Sequence, residues 1–215
     1  MSKKNELEKR AYTFEVRAEE TENGEKIITG RPIVYESVTN LGYYDEVIER
    51  GALDGADLTD IRFLVNHNTS MIPLARSRRN NGNSTMKLTA DYEGLNMDFV
   101  KLDVENNVDA RALYSAVQRG DITGMSFMFS IDGQEWDNLE SEHPTRRIKK
   151  IGSVVEVSAV TFPAYESTEI NARSKEALDN ARSALDKARQ QSDKSVDTDK
   201  ELELAKAKFN FKSKF

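Results

Sequence analysis

The protein has 215 residues, with 31 Lys and Arg against 37 Asp and Glu and a formal net charge of -6. It contains no cysteine, which excludes disulfides, thiolate catalysis and Cys-ligated zinc. Its mild acidity argues against nucleic-acid binding by the chain as a whole. No apolar run approaches the ~18 residues of a membrane-spanning helix, and the first residues lack the apolar core of a signal peptide, so a soluble, cytosolic protein is expected.

Residues 1–10 are charged and read as a flexible N-terminus. "YTFEVRAE" alternates Tyr12, Phe14 and Val16 with polar residues, the period of a strand. Asn23-Gly24 marks a turn, and "KIITGRPIVYES" reads as the partner strand. "YYDEVIERGALDGADL" reads as a short helix or helical turn ending near Gly51. "DIRFLVNHN" and "MIPLARS" read as two strands around a polar turn, and residues 84–102 as a hairpin turning at Asp91 to Gly94. A helix is predicted over "NNVDARALYSAVQRG": Ala110, Leu113, Tyr114 and Val117 share one face, Asn106 or Asn107 caps its start and Gly120 ends it. The strand "GMSFMFS" follows, then a polar loop, then the strand "IKKIGSVVEVSAVTFPAY".

The composition shifts near Ile170. Residues 173–215 carry 11 Lys and Arg against 8 Asp and Glu, a net of +3, which leaves -9 on the rest. Leu178, Ala181, Leu185 and Ala188 form a narrow stripe on a charged helix. "QQSDKSVDTDK" is a polar linker, and the end interleaves Lys206, Lys208, Lys212 and Lys214 with Phe209, Phe211 and Phe215. The expected organisation is a flexible segment 1–10, a β-rich domain over 11–171, and a helical, partly mobile tail over 172–215.

Three residues could carry chemistry. Ser126 is a hydroxyl among large apolar side chains. It is either a strand serine bonded to backbone or a nucleophile, and a nucleophile needs a base within reach. Its surroundings are not the Gly-x-Ser-x-Gly elbow of an α/β-hydrolase. His67 ends the apolar run "FLVNHN", where it is either a surface loop residue or a general base; His143, in "SEHPT", reads as solvent-exposed. Glu156 sits in the apolar "SVVEVSAVTF". It either faces water, opposite Val155 and Val157, or pairs with His67 as the acid of a Ser-His-acid triad. With two distant histidines, no cysteine and no glycine-rich phosphate loop, no metal and no cofactor are expected.

In chain order, "ITGRPIVYES" (28–37), "ERGAL" (49–53), "FLVNHN" (63–68), "PLARS" (73–77), "EGL" (93–95), "GDITGMSFMF" (120–129) and "VVEVSAVTFPAYESTEI" (154–170) resemble the prohead protease family of tailed phages, which is related to herpesvirus assemblin. The resemblance implies an α+β, mainly β fold: a compact antiparallel β-barrel with surrounding helices. It implies a serine endopeptidase that cleaves scaffold segments of the major capsid protein, and itself, inside the immature procapsid in the host cytoplasm. Ser126 would be the nucleophile, His67 the base and Glu156 the third member, with His143 the alternative third member that assemblins suggest. Arg146 or Arg147 would assist backbone amides at the oxyanion. The tail would serve assembly through scaffold or other protease copies, with no membrane or specific nucleic-acid partner. The competing class is a catalytically silent scaffolding protein on the same fold.

Overall fold

Strand-forming segments dominate the chain between residues 16 and 160, and strands dominate the fold accordingly. A computed structural model describes residues 7–12, 16–161, 178–192 and 194. Among the described residues eleven strands precede residue 161: β1 (Leu7–Tyr12), β2 (Val16–Glu20), β3 (Lys26–Val34), β4 (Val38–Asn40), β5 (Asp45–Ile48), β6 (Arg62–Val65), β7 (Ala75–Arg76), β8 (Met86–Ala90), β9 (Gly94–Lys101), β10 (Gly124–Asp137) and β11 (Thr145–Val160). Helix α1 spans Val108–Gln118, and residues 178–192 form a second helix, α2.

The strands make two sheets. One runs β1-β10-β11-β5-β4, with β6 also on β11 and β7 on β6; the other runs β2-β3-β9-β8. No closed barrel is found among the described residues, which corrects the expected architecture. The reason lies in β11. Its sixteen residues give one edge to β10 and divide the other between two parallel partners, β5 at its start and β6 at its end. The two sheets share one core, in which Ile28, Ile33, Leu95 and Met97 of the smaller sheet meet Met125, Phe127, Phe129 and Val157 of the larger. Helix α1 adds Ala110, Leu113, Tyr114 and Val117 to it and is capped by Asn107, whose side chain accepts from the Asp109 and Ala110 amides.

Three local expectations change. The helical turn expected over residues 43–51 is instead β5. Val47 and Ile48 are buried and β-branched, and Gly51 (φ +84°) ends the segment before a helix could run. Residues 7–10, expected to be flexible, lie in β1, which pairs antiparallel with β10. The third concerns the tail. In α2, Ala181 and Leu185 are buried against Tyr44, with Leu41, Trp136 and Leu139 around them. Arg189 donates to the carbonyls of Leu139 (3.1 Å) and Ser141 (2.7 Å). Gly42 lies so close to Leu178 that an added Cβ would stand 2.6 Å from its Cδ2. The Leu/Ala stripe therefore covers the chain's own body and is not free for a coiled coil. The boundary near 170, most of the polar linker and the Phe/Lys end lie outside the described residues.

Candidate active site

Ser126, His67 and Glu156 stand in contact. Each comes from one of three neighbouring strands: β10, the end of β6, and β11. In the register of β10 with β11, Ser126 lies opposite Ser158 and Met128 opposite Glu156. Alternation puts Glu156 and Ser158 on one face of β11, the face that Ser126 shares. That face is not open to water: Ser126 and Ser158 are fully buried and Glu156 is 3 % exposed. Alternation thus placed Glu156 correctly opposite Val155 and Val157. What it could not supply was the cover.

The cover is His67. Strand β6 runs parallel to β11, with Val65 beside Ala159, and the chain then turns sharply. Asn66 and His67 both take left-handed backbone (φ +53° and +54°), a conformation that Asn tolerates better than most residues. Asn66 is clamped in place. Its Nδ2 donates to Thr161 Oγ1 at 3.0 Å, its Oδ1 accepts from the Thr161 amide at 3.0 Å, and its own amide donates to the Ala159 carbonyl at 2.9 Å. The turn swings the imidazole across the face of β11 and β10.

There His67 Nδ1 meets Glu156 Oε2 at 2.6 Å, and Nε2 is in hydrogen-bond contact with the Ser126 hydroxyl. The second carboxylate oxygen of Glu156 accepts from the Ser158 hydroxyl, and that hydroxyl accepts from the His67 amide at 3.1 Å. A buried carboxylate needs hydrogen-bond partners, and here both oxygens have one. With Nδ1–H donating to Glu156, Nε2 is the basic nitrogen facing the serine. That is the arrangement by which a hydroxyl becomes a nucleophile. Sequence reasoning missed Ser158 and Asn66. Their signals were present: a second polar residue two positions after Glu156, and an asparagine just before the histidine.

His143 does not join the cluster. It bonds Asp45 Oδ1 at 2.9 Å and Asn40, in the loop before β11. Nor do Arg146 and Arg147, which lie about ten residues up β11 from Glu156. Arg147 pairs with Asp137 and Glu49. Arg146 is buried among Glu8 (2.8 and 2.9 Å), Glu46 (3.2 Å) and Gln134 (2.7 Å).

Glu46 also accepts two bonds from Arg10 (2.5 and 2.7 Å), and Arg10 pairs with Glu8 at 2.5 Å. Burial opposes ionisation in this network, yet the paired charges outweigh it. Glu8 is held down at about 2 by Arg146 and Arg10, and Arg10 is pushed well above its ordinary value by Glu46 and Glu8.

A family model described as caudovirus prohead serine protease matches residues 12–182. No curated protein and no solved structure matches the chain.

Proposed function

Because this chain belongs to the caudovirus prohead serine protease family, we propose that it is a capsid-maturation endopeptidase with Ser126 as nucleophile, His67 as general base and Glu156 as the acid that orients the base. The observation that carries this reading is the unbroken contact chain from Ser126 Oγ through His67 to Glu156.

In the proposed reaction, His67 Nε2 takes the Ser126 proton as Oγ attacks a peptide carbonyl. Glu156 fixes the ring through Nδ1 and balances the imidazolium that forms. Ser158 positions Glu156 by donating to its other oxygen. The tetrahedral oxyanion needs preorganised donors, and we assign that role to backbone N–H groups beside Ser126 on the edge of β10 that faces β1, which would have to be released from β1 to serve. The intermediate collapses as His67 returns the proton to the leaving amine. Water then attacks the acyl carbon and gives its proton to the same nitrogen; the second intermediate collapses with Ser126 Oγ leaving and taking that proton back, which frees the product acid.

The substrates we assign are scaffold segments of the major capsid protein and this chain itself, cut inside the immature procapsid. The competing reading, a silent assembly protein, draws support from one observation: Ser126 is fully buried. Co-expression with the capsid protein separates the two. The wild type should shorten the capsid protein by mass spectrometry, and Ser126→Ala should leave it at full length. Unchanged processing by Ser126→Ala would remove Ser126 from the mechanism. No processing by either protein, with no labelling of Ser126 by a fluorophosphonate, would favour the silent scaffold.

A further inference from the structure

The Ser126 hydroxyl has two partners, and one of them is unproductive. Besides His67 Nε2, it lies 2.6 Å from the backbone carbonyl of Arg10, to which it donates. A hydroxyl has a single hydrogen. While that hydrogen goes to Arg10, it does not go to the base. The carbonyl belongs to β1, which among the described residues pairs only with β10 and sets Ala11 opposite Ser126. Strand β1 thus lies along the edge of the nucleophile strand and presents a peptide carbonyl to the nucleophile.

The side chains of β1 are held as a ligand would be held. Arg10 makes a two-point contact with Glu46 of β5, whose side chain is fully buried, and Glu8 makes a two-point contact with Arg146 of β11, also buried. Glu46 and Arg146 also touch one another at 3.2 Å. They would therefore keep each other's charge balanced if β1 left, which lowers the cost of an empty site. An exposed strand edge that offers main-chain hydrogen bonds and charged pockets for alternate side chains is a recurring peptide-binding device.

We propose that β1 is a built-in pseudo-substrate. Once it leaves, the edge of β10 receives an extended peptide along the same antiparallel path, seated so that the carbonyl carbon, and not the oxygen as in β1, faces Ser126 Oγ. Glu46 takes a basic side chain at the residue whose carbonyl faces Ser126, and Arg146 takes an acidic side chain two positions earlier. The bond cut is the one that follows the basic residue. Strand β1 itself is not cut in this pose, because its carbonyl meets the serine through oxygen and accepts the nucleophile's own hydrogen. This inference rests on the protease reading above.

The absence of cysteine permits a clean test. Lys9 and Met128 lie opposite each other across β1 and β10, so Lys9→Cys with Met128→Cys locks β1 when oxidised and frees it when reduced. The readouts are fluorophosphonate labelling of Ser126 and hydrolysis of two synthetic peptides, one containing LEKRAY and one containing LEKQAY. The reduced protein should label and cleave, the oxidised protein should do both about 100-fold more slowly or worse, and reductant should restore the rate. The basic peptide should be favoured about 100-fold in kcat/KM. Equal activity of oxidised and reduced protein would make β1 a permanent part of the sheet and overturn the proposal. Equal cleavage of the two peptides would overturn the role of Glu46. A reduced protein that neither labels nor cleaves would instead bring down the protease reading, and this inference with it.

Discussion

The amide of His67 donates to the hydroxyl of Ser158 at 3.1 Å, so β11 holds the histidine by its main chain as well as by its ring. The same hydroxyl donates to Glu156. Ser158→Ala should therefore lower kcat about 10-fold while leaving KM near the wild-type value, because the ring loses orientation and the substrate loses nothing. It should also cost about 1–2 kcal/mol of stability, from a buried carboxylate oxygen and a partly buried amide left unpaired. Steady-state kinetics and denaturant melts check both, and an unchanged kcat would return Ser158 to a purely structural role.

Removing the proposed reacting groups should be far more severe. Ser126→Ala and His67→Ala should each lower peptide hydrolysis about 10⁴-fold or more, and the double variant should be little worse than either, since the two act as a unit. Glu156→Gln keeps the shape but not the charge and should cost about 10²–10⁴-fold. Circular dichroism should be unchanged for Ser126→Ala. Independent, multiplying losses in the double variant would argue against a shared proton transfer.

The left-handed turn at Asn66 separates local strain from clamping. Asn66→Gly keeps the backbone permissible and loses only the Thr161 bonds, whereas Asn66→Val loses the bonds and adds a β-branched side chain at φ +53°. The valine variant should be less stable than the glycine variant by about 1–3 kcal/mol. Both should reduce kcat, because His67 is the next residue. Equal melting temperatures would mean that the turn carries no strain.

Helix α2 should contribute to the stability of the β-rich body. Leu185 is 4 % exposed and packs with Ala181 against Tyr44. Leu185→Ala should cost about 2–3 kcal/mol, the lower part of the range for a core leucine because the cluster is small. A cost near zero by thermal melting would mean that the helix is undocked in solution.

Acid should loosen the anchor of β1. Glu8 binds its proton at about 2 when folded, against 4.5 ordinarily. Between those values the unfolded chain holds more protons than the folded one, so stability present above pH 4.5 is lost as pH falls toward 2. Asp91, held at about 2 against 3.8 ordinarily by its hydrogen bond to Arg31, is more exposed and adds a smaller share over the lower part of that window. Glu8→Gln should flatten the acid limb of a plot of melting temperature against pH, and should speed hydrogen exchange of β1 amides at neutral pH. An acid limb identical to that of the wild type would assign the loss to other carboxylates.

How legible was this in the sequence? The helix α1, the hairpin of β8 and β9 and the strands carrying Ser126 and Glu156 follow from local periodicity, which needs no knowledge of distant partners. The three site residues stood out as misfits: a hydroxyl and a carboxylate in apolar strands, and one of two histidines at a strand end. Misfits are visible because burying them costs free energy unless something distant meets them. What met them was not visible. The parallel pairing of β11 with β5 and β6 joins segments about 90 to 100 residues apart, and nothing local encodes it. The same blindness turned Asp45–Ile48 into an expected helix and hid the buried partners of Glu8 and Arg10, whereas the barrel expectation came from the family resemblance.

The order of assembly along the chain has its own consequence. Glu156 lies on β11, and among the described residues β11 is the last strand in the chain and the only one that pairs with both β10 and β6. Until it is laid down, Ser126 and His67 have no common support, and a slip of one residue in either pairing would turn its side chains to the wrong face. If the proposed triad is the catalytic one, a ribosome-bound or misregistered chain would lack it, and any cutting power would arrive only once β11 is in place.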